Sequence, residues 1–142
     1  MTAGLASIIF IPLLAISMVH MLWAFGSTYP TKTERDLART VAGFKGIEKM
    51  PPRLASFAVS LATFFAGLWA LALTDPGTSL ILTAGGMVLA FVFLARGFVS
   101  YTSWWRALTP EQPFARFDVK VYGPLCLFIG VGFGWLTLLR II

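Results

Sequence analysis

An all-α polytopic membrane protein, a bundle of four transmembrane helices, is the fold class this sequence predicts, and three observations predict it. Four apolar stretches, Leu5–Phe25, Leu54–Leu73, Thr78–Ala95 and Tyr122–Leu139, take up most of the 142 residues. Each is long enough to cross a hydrocarbon core of about 30 Å at about 1.5 Å rise per residue. The composition is 58% hydrophobic and only 12% charged, where soluble chains carry about a quarter charged residues. Third, the cations fall almost entirely in two of the three connections. Hydrocarbon gives an exposed peptide group no hydrogen-bond partner, so runs this apolar are read as helices that satisfy their own backbone. The sequence predicts a single transmembrane domain over residues 1–142, and any site must be built from the helices and their rims.

The first run is read as a retained span. It lacks a basic start, is too long for a signal-peptide core, and carries Ser17, His20 and Trp23 where a small-x-small cleavage site would stand. Pro12 marks a place for a kink. The connection over residues 27–52 holds Leu37, Val41 and Phe44 at helical spacing among Arg35, Asp36, Arg39 and Lys45. That pattern predicts a short amphipathic helix in the headgroup region, with Thr33 as N-cap and Gly43 or Gly46 as its end. A helix docking a partner protein would carry the same pattern. Pro51 and Pro52 mark the entry to the second span.

In the second span Ala58, Ala62, Ala66 and Ala70 recur every fourth residue, with Ser56 and Ser60 nearby. Thr74-Asp75-Pro76-Gly77 then reads as a tight, uncharged-to-acidic turn. The third span offers Gly85, Gly86 and Ala90, and the fourth Gly130-x-Gly132-x-Gly134. Such small-residue seams let helices approach closely, within one bundle or between copies. Tyr122-Gly123-Pro124 reads as the start of the fourth span, since proline suits a first helical turn.

The net charge of +5 raises nucleic acid as a partner, but the distribution gives a simpler account. Lys32, Arg35, Arg39, Lys45, Lys49 and Arg53 lie in the first connection, Arg96, Arg106, Arg116 and Lys120 around the third, and Arg140 alone on the other side. The positive-inside rule then makes those connections cytoplasmic and sends both termini outward across a bacterial inner membrane. Anionic lipid heads are the expected partners of the basic side, and no nucleic acid is needed. The single Cys126 has no partner in the chain for a disulfide.

The residues with chemistry gather at the cytoplasmic level. His20 lies about 8 Å inside the end of the first span, on one face with Trp23. Arg96 closes the third span, and Arg116, Asp118, Tyr122 and Cys126 lead into the fourth. Charges at a membrane boundary need partners, so Asp118 is expected to find Arg96, Arg116 or His20. His20, Trp23, Arg96, Arg116, Asp118 and Tyr122 form the candidate ligand-binding cluster. Arginines there would hold a phosphate or carboxylate while aromatic walls held an apolar tail.

The motifs His20-x-x-Trp23-Ala24-x-Gly26, Tyr29-Pro30, Arg96-Gly97 and Phe114-Ala115-Arg116-Phe117-Asp118-x-x-x-Tyr122-Gly123-Pro124-Leu125-Cys126-Leu127 resemble a family of small four-helix bacterial membrane proteins catalogued only as a domain of unknown function. The family pattern has Trp where this chain has Tyr29, and Ser where it has Gly123. The resemblance implies four helices and a motif-bearing cytoplasmic rim, and brings no activity with it.

The function these readings favour is non-catalytic binding of a small anionic amphiphile or lipid headgroup at that cluster. The alternative is an accessory or assembly subunit of a larger membrane complex, or a homo-oligomer, with the same residues locking helix ends. A small membrane enzyme ranks below both, since there is no serine elbow, carboxylate pair or metal-ligand spacing. No cofactor or metal is called for: one histidine per chain would give haem two histidine ligands only in a dimer.

Overall fold

Apolar runs with short-range stop and start signals at their ends produce a chain of helices. The computed structural model describes residues 2–142, and among them the regular structure is entirely helical. In order the elements are α1 (Thr2–Ala24), α2 (Glu34–Val41), α3 (Arg53–Ala72), α4 (Leu80–Val99), α5 (Ser103–Leu108), α6 (Phe114–Phe117), a π-helical turn (Asp118–Tyr122) and α7 (Gly123–Ile141). The last three join into one helical path, Phe114–Ile141, which with α1, α3 and α4 makes four helices long and apolar enough to cross a membrane. The protein is a multi-pass membrane protein.

The local signals are where the sequence places them in most cases. The Thr33 hydroxyl accepts the Asp36 N–H at 3.1 Å and caps α2, satisfying a donor that the helix itself cannot. Gly43, with φ of 64°, takes the left-handed turn that ends α2, and its N–H donates to the Ala38 carbonyl at 3.0 Å. Ser79 caps α4. At the far end of the bundle Arg140 donates to the carbonyls of Leu73, Asp75 and Gly77. It thereby holds the end of α3 and the turn after it, and the one cation opposite the basic rim has a structural task.

The fourth span departs from expectation. Helix begins at Phe114 rather than Tyr122, and Pro124 sits inside a continuous path rather than at a start. A proline there removes one ladder bond and crowds the carbonyl four residues back. The path widens in front of it: the Gly123 N–H reaches back to Asp118 O, five residues away, so the π turn absorbs the misfit. Gly123 itself is buried, and a Cβ on it would lie 2.8 Å from Asp118 O and 3.0 Å from Ser100 Cβ. No capping hydroxyl is required where the helix does not start.

The spans pack as two antiparallel pairs, α1 along α3 and α4 along α7, with narrower contact between the pairs. The pairs meet tightly in the half away from the basic rim, where Ile9, Leu13, Ala70, Leu73, Ile129, Phe133 and Leu136 are buried together. Glycines make that approach feasible: a Cβ on Gly130 would lie 2.8 Å from the Leu94 backbone nitrogen, and one on Gly132 would lie 2.6 Å from Ile9 Cδ1. The two glycines therefore serve different neighbours, α4 and α1. Within the first pair Ser17 and Ser60 lock reciprocally, each hydroxyl donating to the other's backbone carbonyl at 2.8 Å. The expected alanine seam on α3 is used only in its second half. Ala66 and Ala70 are buried while Ala58 and Ala62 face outward, because steps of four drift around a helix of about 3.6 residues per turn.

At the basic rim α2 does not simply lie among headgroups. Leu37 and Ala38 are buried, at 1% and 0% exposure, and α2 packs against α6. Its connection is stitched to the one between α4 and α6: Lys45 N–H donates to Leu108 O at 3.1 Å and Glu111 N–H to Gly43 O at 3.2 Å. Glu111 adds its carboxylate, accepting Gly46 N–H at 3.0 Å and pairing with Arg39 at 2.9 Å.

Candidate functional site

The two helix pairs that close over the core stay apart towards the basic rim, and a cavity of about 490 Å³ occupies the gap. Ile16 and Val19 of α1, Ala55 and Val59 of α3, Phe93 of α4, and Leu125 of α7 make its apolar walls. Val41, Ala42, Met50 and Phe114 close it at the rim, so the docked amphipathic segment is its roof. The polar groups on the lining are few: His20, Ser56, Thr63, Arg96, Tyr122 and Cys126. A mostly apolar hollow with a small polar end is the ordinary form of a small-molecule site.

Each polar group is placed by its own helix. His20 sits at the last turns of α1, with Nδ1 2.9 Å from Ile16 O. An N–H on Nδ1 donates to that carbonyl and leaves the lone pair on Nε2. Its ring rests on Trp23, centroids 4.6 Å apart, and Trp23 Nε1 donates to Tyr29 O at 2.7 Å. Tyr122, the last residue of the π turn, donates its hydroxyl to Thr40 O at 3.1 Å, tying the roof to the fourth span.

Arg96 stands between the cavity and a second arrangement behind it. Its Nη2 meets Asp118 Oδ1 at 2.6 Å and its Nη1 donates to Ser100 Oγ at 2.7 Å. The guanidinium lies 5.3 Å from the centre of the Trp105 ring, and Trp105 Nε1 donates to Asp118 Oδ2 at 2.9 Å. Asp118 is only 2% exposed, so both its oxygens are satisfied and its charge is compensated, as burial demands. Asp118 is also the first residue of the π turn, six residues before Pro124. Of the five N–H donors of Arg96, those toward Ser100 and Asp118 are engaged, and its side chain remains about a third exposed, at 35%.

The six residues singled out in the sequence therefore divide. His20, Trp23, Arg96 and Tyr122 line one cavity. Asp118 lies behind Arg96 as its counter-ion and does not line the cavity. Arg116 is elsewhere: it is exposed and shares a surface groove with Arg106 and Lys120. Sequence reasoning missed Trp105 and Ser100 as partners in the clasp. Ser100 was legible as the i+4 neighbour of Arg96, whereas Trp105 was indistinguishable from a membrane-interface aromatic. Among the described residues no group of three His, Cys, Asp or Glu side chains is placed to hold a metal ion.

The motif-based resemblance holds on direct comparison. The family model described as "Protein of unknown function (DUF3995)" matches residues 13–133, a range that contains the cavity, the clasp and the π turn. No curated protein and no solved structure matches the chain.

Proposed function

The chain belongs to the DUF3995 family of proteins of unknown function, and from that premise we propose that it binds a small anionic amphiphile, without transforming it, in the cavity between its two helix pairs. The observation that carries this reading is the cavity itself, about 490 Å³ with apolar walls and with Arg96, His20 and Tyr122 at one end. The tail would lie against Val59, Phe93 and Leu125, deeper in the bundle. A carboxylate or phosphate head would take the N–H edge of Arg96 that Ser100 and Asp118 leave open, and a head hydroxyl would donate to His20 Nε2. Because Asp118 offsets the Arg96 charge, binding rests on hydrogen-bond geometry more than on net field. By the cation distribution this end faces the cytoplasm of a bacterial inner membrane, with both termini outside.

A second reading, an accessory subunit of a larger membrane complex, is favoured by the outward half of the α3 small-residue seam. Ala58 and Ala62 leave a smooth strip open to another helix. Native mass spectrometry of the gently solubilised full chain separates the two. A stoichiometric small molecule held by the wild type and lost in Val59→Trp, which fills the cavity while leaving Arg96 and Asp118 paired, is the expected result. A small molecule retained equally by both, or a bare chain that carries one larger protein in both, overturns the binding reading.

A further inference from the structure

Of the cations at the basic rim that no carboxylate pairs, three lie together. Among the described residues the ion pairs are Arg35 with Glu48, Arg39 with Glu111 and Arg96 with Asp118. Arg106, Arg116 and Lys120 are in none of them, yet they converge: together with Gln112, Ala115 and Val119 they line a groove of about 510 Å³ on the outer surface. No carboxylate lines it. Like charges separated only by solvent repel one another, and a fold that brings three together without an acid presents a receptor for an anion. The groove is formed by two elements, since Arg106 comes from α5 and the rest from the segment that leads through α6 into the π turn. Gln112 supplies a neutral donor beside the cations.

Position narrows the anion's chemistry. Arg116 and Lys120 lie four residues apart where the fourth helical path begins, and that path continues into α7 with Pro124, Phe128 and Val131 exposed. These residues follow Lys120 along the same path at steps of three or four residues, and a cationic groove with exposed apolar side chains further along its helix fits a phosphate diester attached to acyl chains better than a free phosphate ester. We propose that Arg106, Arg116 and Lys120 form a headgroup site for an anionic phospholipid, separate from the interior cavity and independent of what the cavity holds. The phosphate sits between the two arginines and the lysine, Gln112 donates to a headgroup oxygen, and the chains run along the exposed face of α7.

The test uses the purified full-length protein in neutral detergent, titrated with dioleoyl phosphatidylglycerol or dioleoyl phosphatidylcholine, with bound lipid counted by native mass spectrometry. The wild type should retain one phosphatidylglycerol in clear preference to phosphatidylcholine. Arg116→Gln with Lys120→Gln, both exposed positions, should weaken phosphatidylglycerol binding by roughly tenfold or more and leave the thermal midpoint unchanged. The cavity-filling Val59→Trp variant should keep the preference, which separates this site from the interior one. Equal retention of phosphatidylglycerol by the wild type and the Gln double variant overturns the proposal. Displacement of the lipid by soluble glycerol phosphate at matched concentration also overturns it, since the groove would then take the phosphate ester alone.

Discussion

Asp118 is the residue on which the rim is organised. Its two oxygens accept from Arg96 and Trp105, and both partners come from other elements, so one carboxylate joins the end of α4, α5 and the π turn. Removing the charge leaves Arg96 partly buried with no counter-ion. Asp118→Asn should lower stability by about 2–3 kcal/mol, less than for a fully buried pair because Arg96 remains about a third exposed. A thermal melt in detergent measures it, and Trp105 fluorescence should shift in the same variant as the ring loses its acceptor. Arg116, two positions from Asp118 in the sequence motif's core, has none of this role. It has the same charge as Arg96, and only the helix face on which it lies separates a clasp residue from a surface one.

At the scale of elements, the helices are held by approach distance rather than by hydrophobic contrast, since lipid tails are as apolar as the side chains. Gly130 illustrates this. A Cβ there would lie 2.8 Å from the backbone nitrogen of Leu94, and backbone inside a helix cannot step aside. Gly130→Ala should therefore push α4 from α7 at a cost of about 1–3 kcal/mol, with lower yield of folded protein on size-exclusion chromatography. Gly134→Ala is the matched control: its Cβ would be 4.0 Å from Ala90 Cβ, an ordinary contact, and its melt should match the wild type. The two glycines read alike in the sequence as parts of one Gly-x-Gly-x-Gly run. The Pro124 and π-turn pair teaches the same lesson from the other side, because a proline in a first turn and a proline accommodated by a wider turn have the same local sequence.

For the whole molecule, the basic rim is a second layer laid over the end of the bundle, and Glu111 is its main fastening between connections. The Gly46 N–H it accepts, and then the neighbouring Arg39 and Arg35, hold its carboxyl below the ordinary value of 4.5. A folded pKa below the unfolded one adds stability that is fully present above about pH 4.5 and is lost as pH falls through the lower, folded value. The thermal midpoint of the wild type should thus fall more steeply between pH 5 and pH 3 than that of Glu111→Gln. The Gln variant should start lower at pH 6 and show a flatter profile. This layer also carries Val41, Ala42 and Met50 of the cavity roof.

The sequence by itself determined the four helices, the segregation of the cations to one end, a short helix capped by Thr33 in the connection over residues 27–52, and the family. Those follow from properties that each segment carries alone: apolar length against a fixed hydrocarbon thickness, caps within a few residues, and a motif read in order. The tertiary structure alone decided that His20, Trp23, Arg96 and Tyr122 share one cavity, that Asp118 stands behind it, and that Arg116 belongs to the outer groove. It also decided that the helical path to α7 starts at Phe114. The physical reason is rotational. A helix of about 3.6 residues per turn sends successive side chains to different neighbours, and a single π turn re-aims everything before it. Facing direction is therefore fixed by how helices pack against one another, a relation that no stretch of one helix contains.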